Sequence, residues 1–523
     1  MTALSQFANQ PAVRFHGPEN GANAHAMREA IAAARGELGR EYDLVIGGER
    51  IRTSEKIHSI NPARPSEIVG VHQKAGREQV EPAIQAALAA FELWKNVSAQ
   101  ERAGFVFRVA EILRQRKFEF NAWLVLEAGK NWDEAEADTC EAIDFCELYA
   151  RTALHLAESK PVIQLPGEQD SLRYIPLGVG AVIAPWNFPL AILCGMTVAA
   201  AVCGNTVILK PSSDSPTIAA KFFEALEQAG LPPGVVNFCP GSGATFGHGM
   251  VEHPKTRFIA FTGSRDVGLD IHLRAAKTQP GQVWIKRTIL EMGGKDSIIV
   301  DADCDLEAAV EGVAVSAFGF QGQKCSACSR AIVDATVYDT FLEKLRERVS
   351  RMQVGDPSEN VYMGPVINES ALQSILNYIE IGKREGRLLV GGKRRGGASE
   401  RDGYFLEPTV IADVAPNARI AQEEVFGPLL AVTKADDYAQ ALAIANNTEY
   451  GLTGAVYSNS TKHIERAERD FFVGNLYINR KCTGAMVGAH PFGGFNMSGT
   501  DSKAGGVDYL YLFTQAKSIG RKL

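Results

Sequence analysis

The sequence predicts an α/β protein built on a doubly wound parallel sheet, and three observations carry that expectation. Residues 180–184, 206–209 and 235–238 are short apolar runs without charge, as buried parallel strands are, and helical spacing fills 217–230 between two of them. Gly accounts for 50 of the 523 residues, which suits many tight strand-to-helix turns. A chain this long exceeds one ordinary domain and has the material for roughly two to four, each with its own core.

The elements follow in order. Residues 1–40 read as an amino-terminal arm, polar and turn-rich over 18–23, with a short helix to about Arg35. Residues 43–72 read as short strands that turn at Gly47-Gly48 and Asn61-Pro62. Val80, Ile84, Leu88 and Phe91 recur at near-helical spacing and form one stripe expected to be buried. Ser98 with Glu101 is a capping box that opens the next helix, and helical pattern continues to about Glu158. Residues 162–180 read as extended, with a turn at Pro166-Gly167. A second alternating α/β region begins near Ile298 and runs to about Asn479, and residues 509–523 read as extended again.

Composition excludes several classes. The chain is 46% hydrophobic and 22% charged, with a net charge of −7, so no global attraction to nucleic acid or anionic membrane is expected. The basic run Lys393-Arg394-Arg395 lies between two Gly pairs and reads as a solvated hairpin tip rather than a binding patch. No stretch approaches the ~18 apolar residues of a membrane span. The amino-terminal residues read as neither a secretory signal nor a transit peptide. Nine scattered cysteines argue against a disulfide framework and for a reducing, cytoplasmic setting.

Several motifs bear chemistry, and each alone admits a bland reading. Pro240-Gly241-Ser242-Gly243 follows an apolar run, as does Thr262-Gly263-Ser264, where Ser264 can cap a helix. Each is either a nucleotide site at a helix N-terminus or a tight connection. Pro185-Trp186-Asn187-Phe188-Pro189 holds Asn187 at a strand's carboxyl end, either as an oxyanion donor or as a structural turn amide. In Leu290-Glu291-Met292-Gly293-Gly294, Glu291 between apolar neighbours is either a general base with a raised pKa or a surface carboxylate before a turn.

Small and polar residues surround Cys325, and Lys324 precedes it, which suits an exposed, activated thiolate. The Cys325-x-x-Cys328 spacing invites a zinc reading, yet no second Cys or His pair stands nearby to complete a metal site. Cys328 is either a resolving partner for an oxidised Cys325 or a small residue packed beneath the loop. Glu424-Val425-Phe426-Gly427-Pro428 offers an acid and an aromatic ring beside a fixed turn, and alone reads as a loop.

Taken together, these motifs resemble the aldehyde dehydrogenase superfamily in order and spacing from about residue 40 to the end, with Glu291 and Cys325 lying 34 residues apart. The resemblance implies an aldehyde-dehydrogenase-like α/β fold, with a Rossmann-type cofactor domain, an α/β catalytic domain and a small β extension for oligomerisation. It implies an arm over 1–40, a dinucleotide-binding domain over 41–158 and 181–291, a catalytic domain over 292–490, and oligomerisation strands over 159–180 and 503–523. It implies Cys325 as nucleophile, Glu291 as activator of the hydrolytic water, and Asn187 with the Cys325 N–H as oxyanion hole. Pro185, Trp186, Lys210, Ser213, Gly241, Gly263, Ser264, Gly293, Glu424 and Phe426 are implied around the cofactor. NAD is expected, with NADP possible, because relatives selective for NAD carry a Glu where Ser213 stands.

Within the superfamily, residues 320–326, 482–488 and 491–500, and the pairs Gly281-Gln282 and Lys286-Arg287, resemble the stand-alone bacterial 1-pyrroline-5-carboxylate dehydrogenases. The implied reaction oxidises glutamate γ-semialdehyde to glutamate. Lys324, Ser326, Gly484, Ala485 and Phe492 are implied at the substrate, and backbone amides of small residues at 484–485 suit its α-carboxylate. Another semialdehyde dehydrogenase, or a non-catalytic cofactor-binding protein on the same scaffold, is the alternative. The expected partners are a small-molecule aldehyde and further copies of the chain, with neither nucleic acid nor membrane.

Overall fold

The structure is a computed structural model and describes residues 7–158, 160, 162–396 and 403–523. Two seven-stranded sheets dominate it. In the first, Arg287–Glu291, Phe258–Thr262, Val179–Ile183, Thr206–Lys210 and Val236–Phe238 lie side by side and parallel. The sheet is finished by the antiparallel strands Leu44–Ile46 and Glu49–Ile51. Every residue of Val179–Ile183 and Thr206–Lys210 is buried, which is why these runs are continuously apolar rather than alternating.

The second sheet orders Arg387–Val390, Thr409–Ala412, Leu429–Ala435, Arg330–Asp334, Ser297–Val300, Thr453–Tyr457 and Asn475–Ile478. All its pairings are parallel except the edge strand Arg387–Val390. The expected helix near 217–230 is Pro216–Gln228. A separate ribbon pairs Glu168–Pro176 antiparallel with Thr514–Lys522. No helix among the described residues is long and apolar enough to cross a membrane.

Local signals act as their chemistry dictates. Ser98 Oγ accepts from Glu101 N at 3.2 Å and Glu101 returns to Ser98 N at 3.1 Å, closing the capping box of Ala99–Gln115. The stripe of Val80–Trp94 differs from expectation. Val80, Ala83, Ile84, Ala87 and Trp94 are buried, whereas Leu88 and Phe91 are only half-buried. Small alanines at 83 and 87 let the helix approach the sheet, and Leu88 and Phe91 fall at its rim.

Residues 509–513, expected to be extended, form a 3₁₀ turn instead. Tyr509 and Phe513 turn into the core there, Tyr509 stacking on Tyr149 at 5.4 Å and Phe513 meeting Phe258 edge-on at 5.4 Å. Burial of these rings overrides the β-propensity of the run. Of the basic run, Arg394 pairs its backbone with Leu406, and residues 397–402 lie outside the described residues.

Candidate active site

Parallel strands share a direction, so their carboxyl ends share one side of the sheet. Pro185, Trp186 and Asn187 follow Val179–Ile183, and Lys210 ends Thr206–Lys210. Gly263 and Ser264 follow Phe258–Thr262, and Glu291 ends Arg287–Glu291. Facing them are amino ends of the second sheet, with Cys325 just before Arg330–Asp334, and Glu424 and Phe426 just before Leu429–Ala435. A cleft of about 770 Å³ lies between the two edges. Pro185, Trp186, Asn187, Lys210, Ser213, Gly263, Ser264, Gly293, Cys325, Glu424 and Phe426 all line it.

Gly241 does not line the cleft. It bridges Ala75, and a Cβ there would come within 2.8 Å of the Ala75 carbonyl oxygen. The same turn reaches the cleft through Gly243, Ala244, Gly247 and His248, wound as a π-helical turn over Gly243–Gly247. Gly241, Gly243 and Gly247 have one residue more between the second and third Gly than the G-x-G-x-x-G dinucleotide pattern, and this wider turn accommodates it.

Two glycines let the halves meet. A side chain at Gly293 would collide with the Glu424 carboxylate, and one at Gly294 would come 2.5 Å from the Cys325 carbonyl oxygen. Instead, the Gly294 N–H donates to Glu424 Oε1 at 2.9 Å. Burial raises the Glu424 carboxyl to about 7.

The loop that carries Cys325 is held in an unfavourable conformation. Phe320 and Gln321 are consecutive non-glycine residues at positive φ, 48° and 58°, a cost on the order of 1–3 kcal/mol each. Distant partners impose it. Gln321 Nε2 donates to the carbonyls of Gly129 at 3.0 Å and Pro365 at 2.8 Å. Gln323 Oε1 accepts from Ile367 N at 2.9 Å. Lys130 Nζ lies 3.8 Å from the ring centre of Phe188 and 4.3 Å from that of Phe320, and pairs with Asp138 at 3.1 Å. Gln321 and Gln323 belong to the 320–326 motif, but Lys130 and Asp138 were not singled out in the sequence, because only the fold brings them to the Cys325 loop.

Two expectations about Cys325 are corrected. Lys324 does not stand as a free cation beside the thiol, because its Nζ is paired with Glu134 Oε1 at 2.6 Å. The surroundings also favour the neutral thiol. Burial, then the carboxylates of Asp296, Glu291, Glu424 and Glu141, push the Cys325 pKa well above its ordinary 9. Asn187 is 4% exposed and its Nδ2 donates to the Gln323 carbonyl at 3.2 Å. The second N–H of that amide and the Cys325 N–H are left without partners among the described residues.

Cys328 is buried in the core of the second sheet. Its Sγ donates to the Arg330 carbonyl at 3.4 Å and is in contact with Cys482. The resolving-thiol reading loses its basis, since the side chain is committed to the core behind the loop.

Glu291 lies beside the cleft, against residues 498–502, where Met292 N donates to Ser498 O at 2.7 Å. Its Oε1 accepts from Ser502 Oγ at 2.5 Å, and Oε2 is buried without a partner among the described residues. Burial raises the carboxyl to about 7, and the Ser502 bonds and Lys503 draw it back only in part.

In the loop that follows Cys482, whose thiol donates to the carbonyl of Ser326 beside Cys325, Gly484 adopts φ 75°. Arg480 Nη2 holds the loop by donating to the carbonyls of Thr483 at 3.1 Å and Gly484 at 3.0 Å. The N–H groups of Gly484 and Ala485 have no partner among the described residues. Ser326 is buried, with its carbonyl accepting from Cys482 Sγ at 3.4 Å. Phe492 pairs its backbone with Ala504.

The cleft fits a dinucleotide on its own chemistry. The Lys210 ammonium is buried, makes one hydrogen bond among the described residues, to Pro211 O at 3.0 Å, and its pKa is lowered to about 8 by that burial. Helix Arg265–Ala276 opens at Ser264 without a side-chain cap, contrary to the capping expected, so its first amides and the Ser264 hydroxyl remain available to a ligand.

Comparison with known proteins agrees with this geometry. A sequence profile described as the aldehyde dehydrogenase family matches residues 50–519. A 1-pyrroline-5-carboxylate dehydrogenase of Geobacillus thermodenitrificans is 58% identical over 499 residues, covering 95% of this chain and 96% of the relative. A second, 1-pyrroline-5-carboxylate dehydrogenase 2 of Halalkalibacterium halodurans, is 55% identical over 517 residues, covering 99% of each. The solved structure of 1-pyrroline-5-carboxylate dehydrogenase from Thermus with bound NAD superposes with a TM-score of 0.96 at 51% identity, again covering 99% of each chain.

Proposed function

The chain belongs to the aldehyde dehydrogenase family, and from that premise we propose that it oxidises L-glutamate γ-semialdehyde, the open form of 1-pyrroline-5-carboxylate, to L-glutamate with NAD. The observation that carries the substrate is the pair of unpartnered N–H groups at Gly484 and Ala485, on a loop pinned by Arg480. An anionic group at the far end of the aldehyde satisfies them, and an alkyl chain does not.

The roles follow from the positions. Cys325 adds to the aldehyde carbon as the thiolate, its proton passing to water. The free N–H groups of Asn187 and Cys325 stabilise the oxyanion that forms. NAD, when bound along Lys210, Ser264, Glu424 and Phe426, supplies the hydride acceptor. Oxidation leaves a thioester on Cys325. Glu291, raised toward neutrality, takes the proton from the water that releases the acid.

We place the chain in the cytoplasm, because nine cysteines at scattered positions suit a reducing compartment. We assign it a homo-oligomeric state. The ribbon of Glu168–Pro176 with Thr514–Lys522 offers open strand edges. Leu273, Val283 and Ile285, at 72%, 79% and 91% exposed, are apolar surface that a second copy would cover.

The test is kcat/KM for glutamate semialdehyde, succinate semialdehyde and propanal, each with NAD and NADP. Glutamate semialdehyde with NAD should lead propanal by at least about tenfold, the worth of one charge-assisted hydrogen bond. Equal values for all three aldehydes would refute the substrate reading.

A further inference from the structure

Residues 7–15 precede the stretch matched by the family profile and carry none of the chemistry above. They nevertheless lie against the loop that presents Gly484 and Ala485. Asn9 Nδ2 donates both to the Val487 carbonyl at 2.9 Å and to Asp144 Oδ2 at 2.8 Å. Gln10 N donates to Asp144 Oδ1 at 2.6 Å, and Gln10 Oε1 accepts from Arg114 Nε at 2.9 Å. Gly488, at φ 81°, leaves space for the Phe7 ring, since a Cβ there would come 2.8 Å from it. Further along, Val13 N donates to Glu136 Oε1 at 2.8 Å, and Phe15 is buried against Trp132.

We propose that the strap Phe7–Gln10, through Asn9 bridging Asp144 and Val487, positions the loop 484–488 for the substrate's α-carboxylate, making Asn9 and Asp144 positioning residues for this reaction. The inference rests on the proposed carboxylate site at Gly484 and Ala485. The physical argument is one of preorganisation. Two free N–H groups bind an anion well only if their direction is fixed beforehand, because ordering a loop upon binding subtracts from affinity. Arg480 fixes the loop before Gly484, and Gly488 N donates to Gly505 O at 2.8 Å after it. Between these, the Val487 carbonyl is held by Asn9, which is itself anchored to the rigid helix Trp132–Ala157 through Asp144. One amide nitrogen thus spends both hydrogens tying loop to helix.

The experiment compares wild type, Asn9→Ala and Asp144→Asn, with steady-state kinetics on glutamate semialdehyde and on propanal. Asn9→Ala should raise KM for glutamate semialdehyde about tenfold, leave kcat at saturation unchanged, and leave kcat/KM for propanal unchanged. Asp144→Asn keeps an acceptor and should fall between wild type and Asn9→Ala. A variant that loses activity equally on both aldehydes, or one that keeps the wild-type preference, overturns the strap. If Asn9→Ala fails to fold, Phe7→Ala carries the same prediction. A wild type that does not prefer glutamate semialdehyde over propanal refutes the carboxylate site itself, a result distinct from failure of the strap.

Discussion

The two walls of the cleft are built in different ways. The first sheet places Asn187, Lys210, Ser264 and Glu291 at the ends of parallel strands, so their common position follows from strand direction alone. The opposite wall holds Cys325 on a loop with two consecutive left-handed residues, fixed by Gln321, Gln323 and the Lys130–Phe320 contact. On the first wall the fold supplies geometry at little local cost. On the second, the geometry is strained and must be held from outside. A change to a cofactor contact of the first wall, such as Lys210 or Ser264, should therefore weaken one binding contact, whereas a change to the supports of the second should misplace the reacting atom.

The largest expected effect breaks the second wall. Gln321→Ala removes both hydrogen bonds that hold the loop at Gly129 and Pro365, and kcat should fall roughly a hundredfold, as when a reacting group moves by about 1 Å. NAD affinity, read by fluorescence titration, should stay near wild type because the first wall is intact. Equal loss of both would mean that the walls are not separable.

A middle-sized effect concerns the base at their junction. Glu291 accepts the water's proton only as carboxylate, so acyl release should rise with pH through about 7 and level off above it. Ser502 donates to the ionised form, which lowers the pKa. Removing it in Ser502→Ala raises the pKa and should move the rising limb to higher pH by about one pH unit. A limb that stays in place, or moves to lower pH, would show that Ser502 does not tune the base.

The smallest effect tests the first wall. Ser213 lines the cleft beside Lys210. With Ser213→Glu, the new carboxylate would repel the 2′-phosphate of NADP, and the NAD-to-NADP ratio of kcat/KM should rise while NAD turnover is unchanged. An unaltered ratio would place Ser213 away from that phosphate.

Legibility in the sequence divides along the same line. The strands Val179–Ile183, Thr206–Lys210 and Phe258–Thr262 were readable as apolar runs, and their following turns held recognisable residues. The second wall was legible only in its motif. Nothing near Cys325 in sequence announces Glu134, which neutralises Lys324, or Gly129 and Pro365, which receive Gln321. These are contacts between segments far apart in the chain. The 3₁₀ turn at Tyr509–Phe513 escaped for the same reason, since ring burial depends on which neighbours the fold provides, whereas the packed alternative for Cys328 is the one the core supports. Gly241 misled because a π-helical turn shifts the cleft-facing positions downstream to Gly243 and Gly247.

The central claim, that Cys325 carries a thioester released by Glu291, is tested most directly by intact-mass analysis of Glu291→Ala mixed with glutamate semialdehyde and NAD. The account predicts one equivalent of NADH per chain in a rapid burst, with the protein heavier by one glutamyl group on Cys325 and the adduct persisting. Steady NADH production at the wild-type rate with no adduct would contradict it.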